Sequence, residues 1–110
     1  NRFSLFKENH IIDSKGKETA VILFSGDFMV NQFTFNRKNV FDSEVRGFFL
    51  ANQDPCEIVI DGYAEFCVIE AESDATVSFS IIQPSQIVTK QAGSGNFNRT
   101  VKTIIDIYWI

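Results

Sequence analysis

Reactive side chains are few in this sequence, and their spacing limits the chemistry open to it. His10 is the only imidazole in 110 residues. Nucleophilic catalysis needs a nucleophile and an orienting carboxylate within hydrogen-bond reach of such a base. Ile11 and Ile12 follow it and nothing local supplies that pair, so His10 reads as an exposed or capping residue. Glu70, Glu72 and Asp74 alternate across Ala71 and Ser73. In an extended segment these carboxylates project from one side, about 6–7 Å apart, and in principle could ligate calcium or do acid–base work. Calcium loops usually carry a Gly for their sharp turn and this one has none, so a solvated acidic edge that discourages strand pairing is the expectation. Gly93-Ser94-Gly95-Asn96 opens a strand rather than a helix and lacks the helix N–H groups of a phosphate cradle. Asn98-Arg99-Thr100 satisfies the N-glycosylation triplet, which has meaning only in a eukaryotic secretory setting. Arg37-Lys38 is the one adjacent basic pair and reads as loop charge between Asn36 and Asn39. No catalytic, cofactor-binding or metal site is expected from these residues, nor is enzymatic activity.

The cysteines deserve their own geometry. Asp61-Gly62 lies between two β-rich runs, and a type I′ hairpin turn needs positive φ at both central residues, which Asp-Gly tolerates. With a two-residue loop Ile60 faces Tyr63, Val59 faces Ala64, and Cys56 faces Cys67. Direct cross-strand neighbours lie about 4.5–5.5 Å apart at Cα, within reach of a disulfide. Two readings stand side by side: a bridge in an oxidising setting, or two small apolar side chains packed together and reduced. Two thiolates and one imidazole do not complete a tetrahedral zinc shell.

The elements that would carry these residues read as strands. Phe occurs 12 times against one Trp, two Tyr and one Met, and 45% of the chain is hydrophobic. Aromatic and β-branched residues suit a pleated, half-buried surface. Period-two alternation is clearest at residues 75–81, where Val77, Phe79 and Ile81 share one side, and it recurs over 99–110. Further strands are expected at 3–6, 10–12, 18–24, 28–35, 45–51, 57–60, 63–69 and 86–90, with reversals at Asp13-Ser14-Lys15-Gly16, Ser25-Gly26-Asp27 and Asp61-Gly62. Residues 39–44 could form a single helical turn, and 92–98 reads as a loop. The expectation is one domain over residues 1–110: a single antiparallel β-sandwich, jelly-roll-like, of about 8–10 short strands.

Charge and apolar patterning bound the partners. Residues 47–89 hold seven acidic side chains and no Lys or Arg, whereas the flanks hold ten basic and seven acidic ones. A nucleic-acid binder concentrates positive charge, so no nucleic-acid partner is expected. No apolar run approaches the ~20 residues of a membrane span, so neither membrane insertion nor a targeting segment is expected. Phe48 and Phe49 are adjacent, so in a strand they point to opposite faces and both faces need a cover. A long loop or a neighbouring subunit would serve. Phe41, Ile104, Tyr108 and Ile110 raise the same question, and these six residues are the candidate interface of a homo-oligomer.

From Val45 onward the chain resembles small β-sandwich structural proteins of bacterial viruses, such as penton, spike-base and decoration proteins. The residues concerned are the strand at 45–52, the Ile58-Val59-Ile60-Asp61-Gly62 hairpin, a turn near Pro84, a Gly-rich loop, and a final strand at 101–107 followed by Tyr108-Trp109. The resemblance implies a jelly-roll-like sandwich working as a ring or trimer against other capsid proteins, without enzymatic activity, and it carries over no functional residues. The first expectation is therefore a minor capsid or vertex component located in the virion. The alternative is a secreted or cell-surface carbohydrate-binding or adhesion module, against which the single Trp, next to the last residue, argues mildly.

Overall fold

The computed structural model describes residues 2–39, 41 and 46–82. Seven strands occur among them: β1 (Arg2–Phe6), β2 (His10–Ile12), β3 (Lys17–Val30), β4 (Phe33–Arg37), β5 (Arg46–Ala51), β6 (Cys56–Glu72) and β7 (Val77–Ile81). All pair antiparallel, in the order β1-β6-β3-β5-β7, with β2 added along β6 and β4 along β3. The all-β expectation holds. The strands expected at 86–90 and 99–110, the turn near Pro84 and the loop at 92–98 lie outside the described residues, as does most of the helical turn at 39–44.

Two expected reversals are not reversals. Ser25-Gly26-Asp27 lies inside the 14-residue β3, and Asp61-Gly62 inside the 17-residue β6. Gly26 and Gly62 do take positive φ, +97° and +79°, but as irregularities within strands that stay paired to each other. The register of β3 on β6 shifts between Leu23 and Ser25 and again between Gly26 and Phe28. At Gly26 a Cβ would run into the backbone of Tyr63 and Ala64, so only glycine lets the two bent strands cross here. The hairpin instead falls at Asn31-Gln32, in the middle of an expected strand: both residues have positive φ, 49° and 70°, and Val30 pairs with Phe33. That is a two-residue turn of the type assigned by sequence to Asp61-Gly62.

This correction also separates the cysteines. Cys56 pairs with Ile12, and Cys67 with Leu5 and Ile22, eleven positions further along the same strand. Cys56 packs against the cluster around Phe28 and Phe66, and Cys67 belongs to the cluster around Ile22 and Phe49, so the two side chains do not meet. Both thiols are free.

The bends fold the sheet over itself. Phe28 is five residues past Leu23, the register partner of Phe66, and in a straight strand would lie about 17 Å beyond it. Yet the Phe28 and Phe66 rings are 5.4 Å apart, edge to face. The Phe33 ring of β4 likewise stacks on Phe79 of β7 at 5.4 Å, although the two strands are not sheet neighbours. The outer halves of β3 and β6, with β2 and β4, therefore cover the inner face of β1-β6-β3-β5-β7. Between the layers lie Ile12, Val21, Leu23, Phe28, Val30, Phe35, Phe48, Leu50, Ile58, Ala64, Phe66 and Val68, all buried.

The other face of the first layer carries a second buried cluster: Ala20, Ile22, Phe49, Ala51, Cys67, Ile69 and Ile82. Phe48 and Phe49 belong to one cluster each, and both have zero exposure in the single chain. Neighbouring subunits are not needed to cover them. Arg37, read from sequence as a loop charge, is buried at the end of β4, where its Nη1 donates to the Leu23 carbonyl at 3.0 Å.

Candidate functional site at the mouth of the sandwich

The inter-layer space is filled by phenylalanine over most of its length and turns polar at one edge. The register of β1 on β6 sets three pairs on the inner face: Phe6 with Phe66, Ser4 with Val68, and Arg2 with Glu70. Moving outward, that wall passes from apolar to polar to charged. The opposite wall is β2 and the turn after it, contributing His10 and Asp13. Lys17, first residue of β3, pairs with Glu72 in register and reaches diagonally to Glu70, Nζ to Oε2 at 3.0 Å. Arg2, Lys17 and Glu70 line both a cleft of about 180 Å³ between the walls and a wider one of about 530 Å³ outside it, so the two form one trough.

Local chemistry holds this trough in shape. Asp13 Oδ1 accepts from the Lys15 amide at 3.1 Å, an Asx turn, and Lys17 N donates to the Ser14 carbonyl at 3.1 Å. Gly16 sits at φ +75°. Asn52, also at positive φ (53°), staples the turn: its Oδ1 accepts from Gly16 N at 2.7 Å, while its Nδ2 donates to the carbonyls of Ser73 (3.1 Å) and Ala75 (2.6 Å). Three loops are thereby tied together beside Lys17. On the other wall the His10 imidazole stacks on the Phe6 ring, centroids 3.9 Å apart and planes 25° from parallel. Asn9 Oδ1 accepts from Ile60 N at 2.8 Å, fixing the crossing from β1 to β2.

The arrangement offers ammonium and guanidinium donors, carboxylate acceptors, a hydroxyl and an aromatic ring face within one concave surface. It suits a small ligand rich in hydroxyl groups, since a concave cleft with a few convergent polar groups is where such ligands are held. The thiols are outside it chemically. Burial pushes the Cys67 thiol up to about 12, opposed by backbone hydrogen bonds, and burial raises Cys56 as well. Neither is a ready nucleophile.

Sequence reasoning reached His10 and Glu70 but not their setting. His10 is half-buried against Phe6 rather than exposed. Glu70 engages Lys17, and among the described residues no three His, Cys, Asp or Glu side chains gather as a metal-ligand group, so Glu70, Glu72 and Asp74 do not form one. Arg2, Ser4, Asp13 and Lys17 were passed over. Their only signal was the polar alternation of Arg2 and Ser4, which means nothing until β1 is known to pair with the far end of β6. Of the expected interface residues, Phe41 is 91% exposed and Phe48 and Phe49 are buried; Ile104, Tyr108 and Ile110 lie outside the described residues.

Comparison with known proteins overturns the virion reading. No curated protein and no solved structure matches the chain significantly. The family model described as KduI/IolB matches residues 6–107, nearly the whole length. It describes an enzyme family of uronate and inositol isomerases in cytoplasmic carbohydrate metabolism, not a family of phage structural proteins or of secreted modules. The resemblance drawn from strand rhythm failed because β-rich domains of many lineages share that rhythm, and the expectation of a non-enzymatic capsid component falls with it. On a match of this extent, the chain belongs to the KduI/IolB family.

Proposed function

We propose that this chain is a sugar-handling domain of a carbohydrate isomerase of the KduI/IolB type, and that the mouth cleft is where it meets the sugar. The observation that carries the reading is the family match over residues 6–107, and the polar trough supplies a place for such a ligand. Sugars and inositols present neighbouring hydroxyls that donate and accept at once. Arg2 and Lys17 donate, Glu70 and Asp13 accept, Ser4 does both, and the Phe6–His10 stack offers a ring face to C–H groups. Lys17 can hold Glu70 and still donate to a ligand, because an ammonium has three protons and this side chain is one-third exposed.

Titration calorimetry with a hexuronate and with inositol tests the assignment. Saturable binding of at least one is expected. Glu70→Gln and Lys17→Ala should each weaken it about tenfold or more, the usual loss for a charge-assisted hydrogen bond. Glu57→Gln, on the far end of β6, should leave it unchanged. A folded protein that binds neither compound and interconverts no hexuronate would end the proposal.

A further inference from the structure

One row of side chains crosses the inner face of the first layer at the mouth. Arg2 of β1, Glu70 of β6, Thr19 of β3 and Leu50 of β5 are successive register partners, so they stand side by side on that face. Thr19 has zero exposure, sealed in the wall between Glu70 and Leu50, and among the described residues its Oγ1 meets no hydrogen-bond partner. The strand has no use for this hydroxyl. The next positions of β3 on the same face are Val21 and Leu23, and valine offers the same branched shape and preference for strands. A buried hydroxyl without a partner costs stability, and such atoms are rare enough in native proteins to call for a reason.

Glu70 supplies one. Direct cross-strand neighbours have Cβ atoms about 4.5–5.5 Å apart, a gap that a glutamate side chain spans. Lys17, two positions before Thr19 on the same face, stands diagonal to Glu70 and holds its Oε2 at 3.0 Å. The carboxylate therefore faces two donors on one strand, an ammonium at the mouth and a hydroxyl one step deeper. Their surroundings differ. Lys17 is one-third exposed and lines the cleft, whereas Thr19 is closed off from it. A ligand in the cleft competes for the first donor and not for the second.

We propose that Thr19 is a second seat for the Glu70 carboxylate: when a sugar oxygen engages Lys17, Glu70 turns one step inward and accepts a hydrogen bond from Thr19 Oγ1. Thr19 is thus a positioning residue that acts on the ligand through Glu70. The ligand-driven movement rests on the reading of the mouth as a sugar site; the seat itself is tested without any ligand, by urea unfolding of the wild type, Thr19→Val, Lys17→Ala and the double variant. While Lys17 holds Glu70, Thr19→Val removes an unpartnered hydroxyl and should raise the folded-to-unfolded ratio about tenfold. In the Lys17→Ala background the same change removes the partner of Glu70 and should lower that ratio by a similar factor. An effect of the same sign in both backgrounds overturns the proposal. Calorimetry with a hexuronate and with inositol gives the second readout. Thr19→Val should bind about tenfold more weakly although it is the more stable protein, and Thr19→Ser, which keeps the hydroxyl, should bind like the wild type although it is the less stable one. Unchanged affinity in Thr19→Val overturns the movement. Failure of the wild type to bind either compound sinks the sugar reading alone, since the unfolding cycle decides the seat.

Discussion

Asn52 shows how much one side chain can organise. It satisfies an amide and two carbonyls in two loops other than its own while holding a left-handed backbone, a conformation that Asn tolerates better than most residues. Asn52→Ala removes all three hydrogen bonds and is expected to lower stability by about 2–3 kcal/mol, each bond contributing roughly 1 kcal/mol net; urea unfolding measures it. Because the staple sets the turn that carries Lys17, the same variant should also weaken ligand binding at the mouth without touching the ligand. Cys67 makes a second prediction at this scale. Its thiol ionises near 12 in the folded protein against 9.0 for the free group. Below 9 both states keep the proton and nothing changes. Above it the unfolded thiol loses its proton while the native one retains it, so the native state is disfavoured as pH rises toward 12. The slope from one such group approaches about 1.4 kcal/mol per pH unit; it should be absent from Cys67→Ala and so appear in full as the difference between the wild type and that variant.

Strands 14 and 17 residues long are possible only because glycine lets them bend without breaking. Gly26 and Gly62 serve this differently, and substitution should separate them. At Gly62 an added Cβ meets nothing within 4 Å, so Gly62→Ala carries only the left-handed backbone penalty, roughly 1–2 kcal/mol. At Gly26 the Cβ would collide with the Tyr63–Ala64 backbone as well. Gly26→Ala should therefore be markedly more damaging than Gly62→Ala in thermal unfolding, and comparable losses would show that the strands do not cross as described. Element existence was legible from alternation: the strands expected at 3–6, 10–12 and 75–81 are Arg2–Phe6, His10–Ile12 and Val77–Ile81. Continuity was not. Asp-Gly and Ser-Gly-Asp are turn chemistry whether they close a hairpin or bend a strand, and the difference lies in a partner strand remote in sequence. For the same reason Asn31-Gln32, which lacks glycine, gave no turn signal.

For the molecule as a whole, a group of phenylalanines fills the interior, while Phe3, Phe33 and Phe41 stand exposed. Phe28, Phe35, Phe48, Phe66 and Phe79 touch one another in a connected set of rings. Phe48→Ala and Phe49→Ala should each reduce stability by about 3–5 kcal/mol, the usual result of emptying a buried aromatic site, measured by denaturant unfolding. Loss of assembly with stability intact would contradict the burial. The trough was invisible in sequence because its members come from β1, β2, β3 and β6 and meet only when the sheet folds over. One consequence of the ring stacked on Phe6 remains. His10 is the only histidine in the chain and lies 3.9 Å above a benzene face. Its two carbon-bound ring protons therefore give a single pair of proton resonances displaced upfield by the neighbouring ring current. A molecule settling into the mouth perturbs that stack, so the protein carries its own spectroscopic label at the place where occupancy has to be detected.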